Sequence, residues 1–252
     1  MKRVHQIPAL RKAIHVMNAL AEGQCEPTTA SLSRALGIAP ATCYRIIQTF
    51  ADAGWLRLNQ DGRCELGAGL FPLLHQLQQG DLLSLRMLDT LHELTEATGV
   101  TSKVSVRDGD DALTLLRVDS AEPMSLSVRP GARFHLTLGA SGSILLSALP
   151  EKEVMKIVRR APKECWQWQK PADVLRRARL AKQKGIVTDS GTYRPDIFGI
   201  SAALRDAHGE IQAALTLTGL IYGRTKTQVG EYRELLEHTV AKLNQQTKLR
   251  KP

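Results

Sequence analysis

Over residues 8–53 the apolar positions recur at helical spacing and predict three helices. Leu10, Ile14, Met17 and Leu20/Ala21 form one stripe on the first, and Gly23 closes it. The polar run 24–29 brings threonines suited to cap the next helix, where Leu32, Ala35 and Leu36 give one buried face. Gly37 supplies the left-handed conformation that ends a helix, and Pro40 is pre-set for the first turn of another, over about 41–53. The apolar set Cys43, Ile46, Ile47 and Phe50 turns Thr42, Arg45, Gln48 and Thr49 outward, with Tyr44 at their edge. Gly54 stops this helix, and residues 55–58, 59–62 and 63–66 predict a strand, a turn and a strand. A helix pair centred on 31–49 and followed directly by a hairpin is a winged helix-turn-helix. Its outward helix face meets a DNA groove, and Arg57 and Arg63 stand beside the wing tip, within reach of phosphates or the minor groove.

Beyond Gly67 and Gly69 the helical period returns. Leu70, Phe71, Leu74 and Leu77 predict a connecting helix ending near Gly80, and Leu82, Leu85, Leu88, Leu91 and Leu94 a second one ending at Gly99. The period then falls to two. Val104 and Val106 alternate with Lys103, Ser105 and Arg107, and strands are expected over 104–107, 113–118, 124–128, 134–138, 186–189, 200–205 and 211–218. Helices are expected over 143–149 and 175–184. A closing helix starts at a capping box of Thr225 and Gln228, with Val229, Tyr232, Leu236, Val240 and Leu243 on its apolar side. The second half is therefore α+β, a mainly antiparallel sheet with helices.

A chain of 252 residues accommodates two domains. Its net charge of +9 favours a polyanionic partner, yet residues 1–79 hold only 8 Lys and Arg against 5 Asp and Glu, so charge alone does not identify a DNA-binding protein. Lys2 and Arg3 either lie along phosphates or form a solvated terminus. No apolar run approaches the roughly 18 residues that span a bilayer, and a signal-peptide core is missing, so a cytoplasmic protein with no membrane partner is expected. Cys25, Cys43, Cys64 and Cys165 show neither CxxC pairing nor zinc spacing, and neither metal nor cofactor is expected.

Three stretches then resemble the IclR family of bacterial transcriptional regulators. They are residues 36–47 (LGIAPATCYRII) with 54–56 and 62–67, residues 130–148 (PGARFHLTLGASGSILLSA), and residues 185–189 with 193–195, 200–203, 206–209 and 213–219. The resemblance covers nearly the whole chain and implies a mixed architecture. A mainly α winged helix-turn-helix domain (1–68) and a linker helix (69–80) would precede a GAF-like α+β effector domain with an antiparallel sheet (81–252). The partners implied are a double-stranded DNA operator, a small-molecule effector and further copies of the chain in a homodimer or tetramer. The expected DNA-binding set is Thr29, Ser31, Pro40, Ala41, Thr42, Tyr44, Arg45, Gln48, Arg57 and Arg63. By the same resemblance Ala140, Ser141, Gly142, Asp189, Gly199, Thr216 and Thr218 line the effector pocket. His135 and Ser143 stand where the family usually has proline and lysine.

On physical grounds, residues 140–142 open a helix whose free N–H groups favour an anion, which points to a carboxylate effector. Asp189 either accepts a hydrogen bond from the ligand or caps a neighbouring turn, and both threonines equally serve backbone groups. Two other functions compete. A metabolite-binding hydrolase built on His135, Asp189 and Ser141 or Cys165 lacks a GxSxG elbow, and no motif sets a nucleophile beside a base, so no enzyme is expected. A non-specific nucleic-acid-binding protein would use the basic stretch from Lys152 to Lys184, which solvated helix faces explain better.

Overall fold

The structure is a computed structural model that describes residues 7–73, 85–122, 131–191 and 194–249. It divides into two compact units, residues 1–79 and 80–252.

In the first unit α1 (Pro8–Glu22), α2 (Thr29–Leu36) and α3 (Pro40–Asp52) precede a two-stranded antiparallel hairpin, β1 (Leu56–Leu58) and β2 (Cys64–Leu66). Val16, Ala19, Leu32, Ile38, Cys43, Ile47, Leu56 and Cys64 form one core. Thr28 caps α2 by accepting from the Ser31 N–H, and Gly37 ends it at φ +61°, a conformation that a Cβ would strain. Phe50 stacks on Trp55 with ring centroids 5.8 Å apart, fixing the exit of α3 into the wing.

Two expected faces are corrected here. Leu10 and Ile14 are exposed, because α1 docks through its C-terminal turns alone and buries Val16 and Ala19 instead. Ala35 is also exposed. Its place in the α2 core goes to Ser33, whose hydroxyl donates to the Ile38 carbonyl 2.7 Å away and so costs little to bury. A short 3₁₀ turn, Ala68–Leu70, opens the stretch where the linker helix was expected, and residues 74–80 of that helix lie outside the described ones.

The second unit begins with α4 (Leu85–Thr98), then β3 (Thr101–Asp108), β4 (Asp111–Val118) and β5 (Arg133–His135). It continues through α5 (Gly139–Ser147), α6 (Glu151–Arg160) and α7 (Pro171–Lys184). Then come β6 (Ile186–Ser190), β7 (Ile197–Arg205), β8 (Ile211–Leu220) and α8 (Lys226–Leu249). The sheet runs β5-β4-β3-β8-β7-β6 and every neighbouring pair is antiparallel. Helices cover both faces. On one, Leu91 and Leu94 of α4 and Leu236 and Val240 of α8 meet Val104, Phe198, Ile200, Leu215 and Leu217. On the other, Ile144 of α5, Ile157 of α6 and Val174 and Ala178 of α7 meet Ala112, Val187, Ala203 and Ala214.

Several boundaries differ from the sequence expectation. The helix placed at 143–149 starts four residues earlier, and a Cβ on Gly142 would stand 2.2 Å from the Leu136 carbonyl oxygen, so glycine permits the close approach that sets this start. The strand expected over 134–138 is β5 alone, since a turn closed by the Leu138 N–H on the His135 carbonyl follows it. The helix α7 begins at Pro171 rather than Leu175, and α6 was not expected at all. The strand expected over 124–128 lies outside the described residues. Thr225 and Gln228 form the capping box at the start of α8.

Candidate DNA-binding face and effector site

Helix α3 buries Cys43 and Ile47 and leaves Pro40, Ala41, Tyr44, Arg45 and Thr49 exposed, with Thr42 and Gln48 half-covered beside them. Arg45 makes no ion pair among the described residues. The lead-in to α2 joins the wing: the Cys64 N–H donates to the Pro27 carbonyl at 2.6 Å, and Thr28 forms a bridge with Arg63. Thr29 and Ser31, half-buried near the start of α2, thus sit in the same layer as β2. At the wing tip the Asn59 side chain accepts from the N–H groups of Asp61 and Arg63, which holds the turn closed.

The two wing arginines are not free. Register sets Arg57 opposite Glu65, and the two form an ion pair at 2.5 Å that holds the Glu65 carboxyl below the usual carboxylate range. Arg63 lies 3.9 Å from Glu26. All four side chains are well exposed to solvent, so neither pair is strong.

In the second unit the alternation of β7 and β8 sorts every residue to a face. Phe198, Ile200, Leu215 and Leu217 go to α4 and α8; Gly199, Ser201, Thr216 and Thr218 go to α5 and α7. Of the expected pocket residues, Ala140 meets Gly199 closely, since a Cβ on Gly199 would stand 3.6 Å from that of Ala140. Gly142 turns to the backbone of Leu136, as already described. Ser141 is buried in the first turn of α5. Thr216 Oγ1 lies 2.8 Å from Ser201 Oγ, and Thr218 donates to the Phe198 carbonyl at 2.9 Å.

Asp189 sits inside β6 opposite Gly199, on the same face, and pairs with Arg177 of α7 across 4.0 Å, both side chains only 4% exposed. Arg177 also donates to Ser143 Oγ at 3.2 Å, to Gln169 Oε1 at 2.6 Å and to the Thr137 carbonyl at 3.3 Å. Burial lowers its pKa from the usual guanidinium value and Asp189 opposes the shift, which leaves a charged network beneath α5. His135 is half-buried in β5, its Nδ1 2.9 Å from Thr137 Oγ1, and burial lowers its pKa.

Sequence reasoning missed Arg177, Lys103, Ser105, Thr114 and Arg117, all of which the fold turns to this polar face. Alternation over 103–107 was legible, but it does not tell whether the face of Lys103 and Ser105 meets water or a helix. A signal existed in the helical run 139–184, which needed a second sheet face to cover.

A winged helix-turn-helix followed by a separate sheet domain with a polar buried face defines the class: a DNA-binding transcriptional regulator. The family described as bacterial transcriptional regulator IclR C-terminal matches residues 75–245, and the IclR helix-turn-helix domain matches residues 9–60. The chain belongs to the IclR family of bacterial transcriptional regulators. It is 25% identical over 240 residues to the uncharacterized HTH-type transcriptional regulator RhmR of Escherichia coli K12, covering 92% of this chain and 88% of that one. To the HTH-type transcriptional repressor AllR of Salmonella paratyphi A it is 22% identical over 249 residues, covering 97% and 91%. The crystal structure of an IclR homologue from Microbacterium hydrocarbonoxydans, complexed with 4-hydroxybenzoate, has the same fold. Its TM-score is 0.75 at 20% identity, over 94% of this chain and 99% of that one. No helix among the described residues is long and apolar enough to cross a membrane.

Proposed function

We propose that the chain acts in the cytoplasm, as a regulator rather than an enzyme, and binds its operator through the outward face of α3. Occupancy would be set by a small carboxylate held on the polar face of the effector sheet. The observation that carries this reading is Arg45, exposed and without an ion pair among the described residues, on the helix face opposite Cys43 and Ile47. Pro40, Ala41, Thr42, Tyr44 and Gln48 would share the groove with it, Thr29 and Ser31 would meet backbone beside it, and Arg57 and Arg63 would exchange their glutamates for phosphates. The 1–68, 69–80 and 81–252 division fits a DNA-binding domain, a linker and an effector domain. One helix-turn-helix per chain buries too little to select a genomic site alone, which supports a dimer or a tetramer. Ile7 just before α1, and Leu10 and Ile14 on it, are exposed and offer an apolar surface for such contacts. In the effector domain Ala140, Ser141, Gly142, Asp189, Gly199, Thr216 and Thr218 surround the proposed pocket, and the relative complexed with 4-hydroxybenzoate supports a small acid as its occupant.

Sequencing DNA retained by the full-length protein, then footprinting the best fragment with wild type and Arg45→Ala, tests the reading. Two half-sites about one helical turn or a multiple apart are expected. Loss of a base contact in the variant would cost roughly 1–3 kcal/mol and relax one base pair; loss of a phosphate contact would lower the salt slope by about one. A single undivided footprint, or an unchanged isotherm for Arg45→Ala, would refute it.

A further inference from the structure

The expected pocket side chains are largely spoken for: Thr216 by Ser201, Thr218 by the Phe198 carbonyl and Asp189 by Arg177. A second group on the same face is not. Lys103 of β3 is 7% exposed, rests its ammonium 5.2 Å from the Phe134 ring centroid, and makes no ion pair or hydrogen bond among the described residues. Ser105 Oγ, Thr114 Oγ1 and Arg117 Nη1 are likewise buried with no hydrogen-bond partner among the described residues.

Strand register gathers these four groups. Lys103 stands opposite Arg117 on β4 and Thr216 on β8, and Ser105 stands opposite Thr114. The register shift between Val104 and Ser105 lets Thr114 and Arg117, three residues apart, share one face. Opposed Cβ atoms in such pairs are about 4.5–5.5 Å apart, and same-face neighbours along a strand about 7 Å, so the four groups can surround one small anion.

We propose that Lys103, Ser105, Thr114 and Arg117 form the acid-recognising end of the effector pocket and take the carboxylate of a small monoanionic ligand in place of the start of α5. The proposal rests on the effector-binding reading above. Charge fixes the class. Arg117 is already paired with Asp119, so among the described residues the group carries one uncompensated positive charge and matches one negative charge rather than two. Geometry agrees: two hydroxyls, an ammonium and a guanidinium N–H supply four donors, and a carboxylate has about four acceptor sites. A buried cation with no counter-charge is costly unless something fills the gap, and hydrogen bonds to ionised groups are among the strongest. Burial lowers the Lys103 pKa to about 8, which still leaves it mostly protonated at neutral pH.

The test uses the full-length protein at neutral pH with propionate, benzoate, 4-hydroxybenzoate, their amides and inorganic phosphate. Melting temperatures identify responders and calorimetric titration gives each Kd for wild type, Lys103→Met, Lys103→Arg and Thr114→Val. At least one acid is expected to raise the wild-type melting temperature more than its amide does. Lys103→Met should weaken that acid about thirty-fold, the loss of a charge-assisted bond, and abolish the preference over the amide. Lys103→Arg should retain the preference, and Thr114→Val should weaken binding a few-fold. Without ligand, Lys103→Met should melt higher than wild type. The proposal fails if no acid binds, if phosphate alone binds, if Lys103→Met keeps the preference, or if that variant melts lower without ligand. Release of operator by the amides as readily as by the acids would overturn this subsite while leaving the regulator reading intact.

Discussion

The two faces of the six-stranded sheet are built from the same strands and are both covered by helices, yet they do opposite work. Toward α4 and α8 the sheet shows Val104, Phe198, Ile200, Leu215 and Leu217, all buried in one apolar cluster. Toward α5 and α7 the sheet shows Lys103, Ser105, Ser201, Thr216, Thr218 and Asp189, all of them buried. The first face stabilises the domain by removing apolar surface from water. The second gives up part of that gain to keep polar groups dry, some paired and some waiting. Beside them the same face carries a smaller apolar set, Ala112, Val187, Ala203 and Ala214, packed under α5, α6 and α7.

Three substitutions bear on this contrast. The largest effect is expected on the apolar face, where Phe198→Ala removes a fully buried ring stacked on Tyr232 and should cost about 3–5 kcal/mol in urea unfolding. A loss below about 1 kcal/mol would mean this face does not carry the fold.

The next is opposite in sign. Folding lowers the Lys103 pKa from 10.5 to about 8, so below pH 8 the native state carries the full cost of a buried charge. Between pH 8 and 10.5 the unfolded chain binds more protons than the native one, and the stability of the wild type rises with pH. Lys103→Met should therefore unfold roughly 3 kcal/mol later than wild type at pH 7, with the advantage vanishing above about pH 10.5. A pH-independent difference between the two proteins would contradict this account. The smallest effect is expected for Thr216→Val. It removes a hydroxyl contact, yet Ser201 Oγ keeps its bond to the Leu215 carbonyl, so about 1 kcal/mol or less should be lost in the same urea assay. A loss matching that of Phe198→Ala would place Thr216 among the residues that hold the fold.

On the DNA-binding side, most of what matters was legible in the chain. The spacing of Cys43, Ile46, Ile47 and Phe50, with Gly37 and Gly54 as punctuation, located the outward face of α3 because helix periodicity is local. Wing pairing was less legible. That Arg57 meets Glu65 depends on hairpin register, and that Arg63 meets Glu26 depends on the wing folding back onto the lead-in to α2.

By itself the sequence determined the kinds of element and their order, through periods of 3.6 and 2, the capping box before α8 and the glycines that close helices, all of them effects within a few residues. Tertiary structure alone decided which side of each strand is dry. Period two separates Lys103 and Ser105 from Val104 and Val106, but a polar alternate face reads the same in water as beneath a helix. Only the packing of α5 and α7 over that face turned a row of lysine, serine and threonine into buried groups, and only there did Arg177 find Asp189. Burial and pairing arise between segments far apart in the chain, and local periodicity carries no record of them.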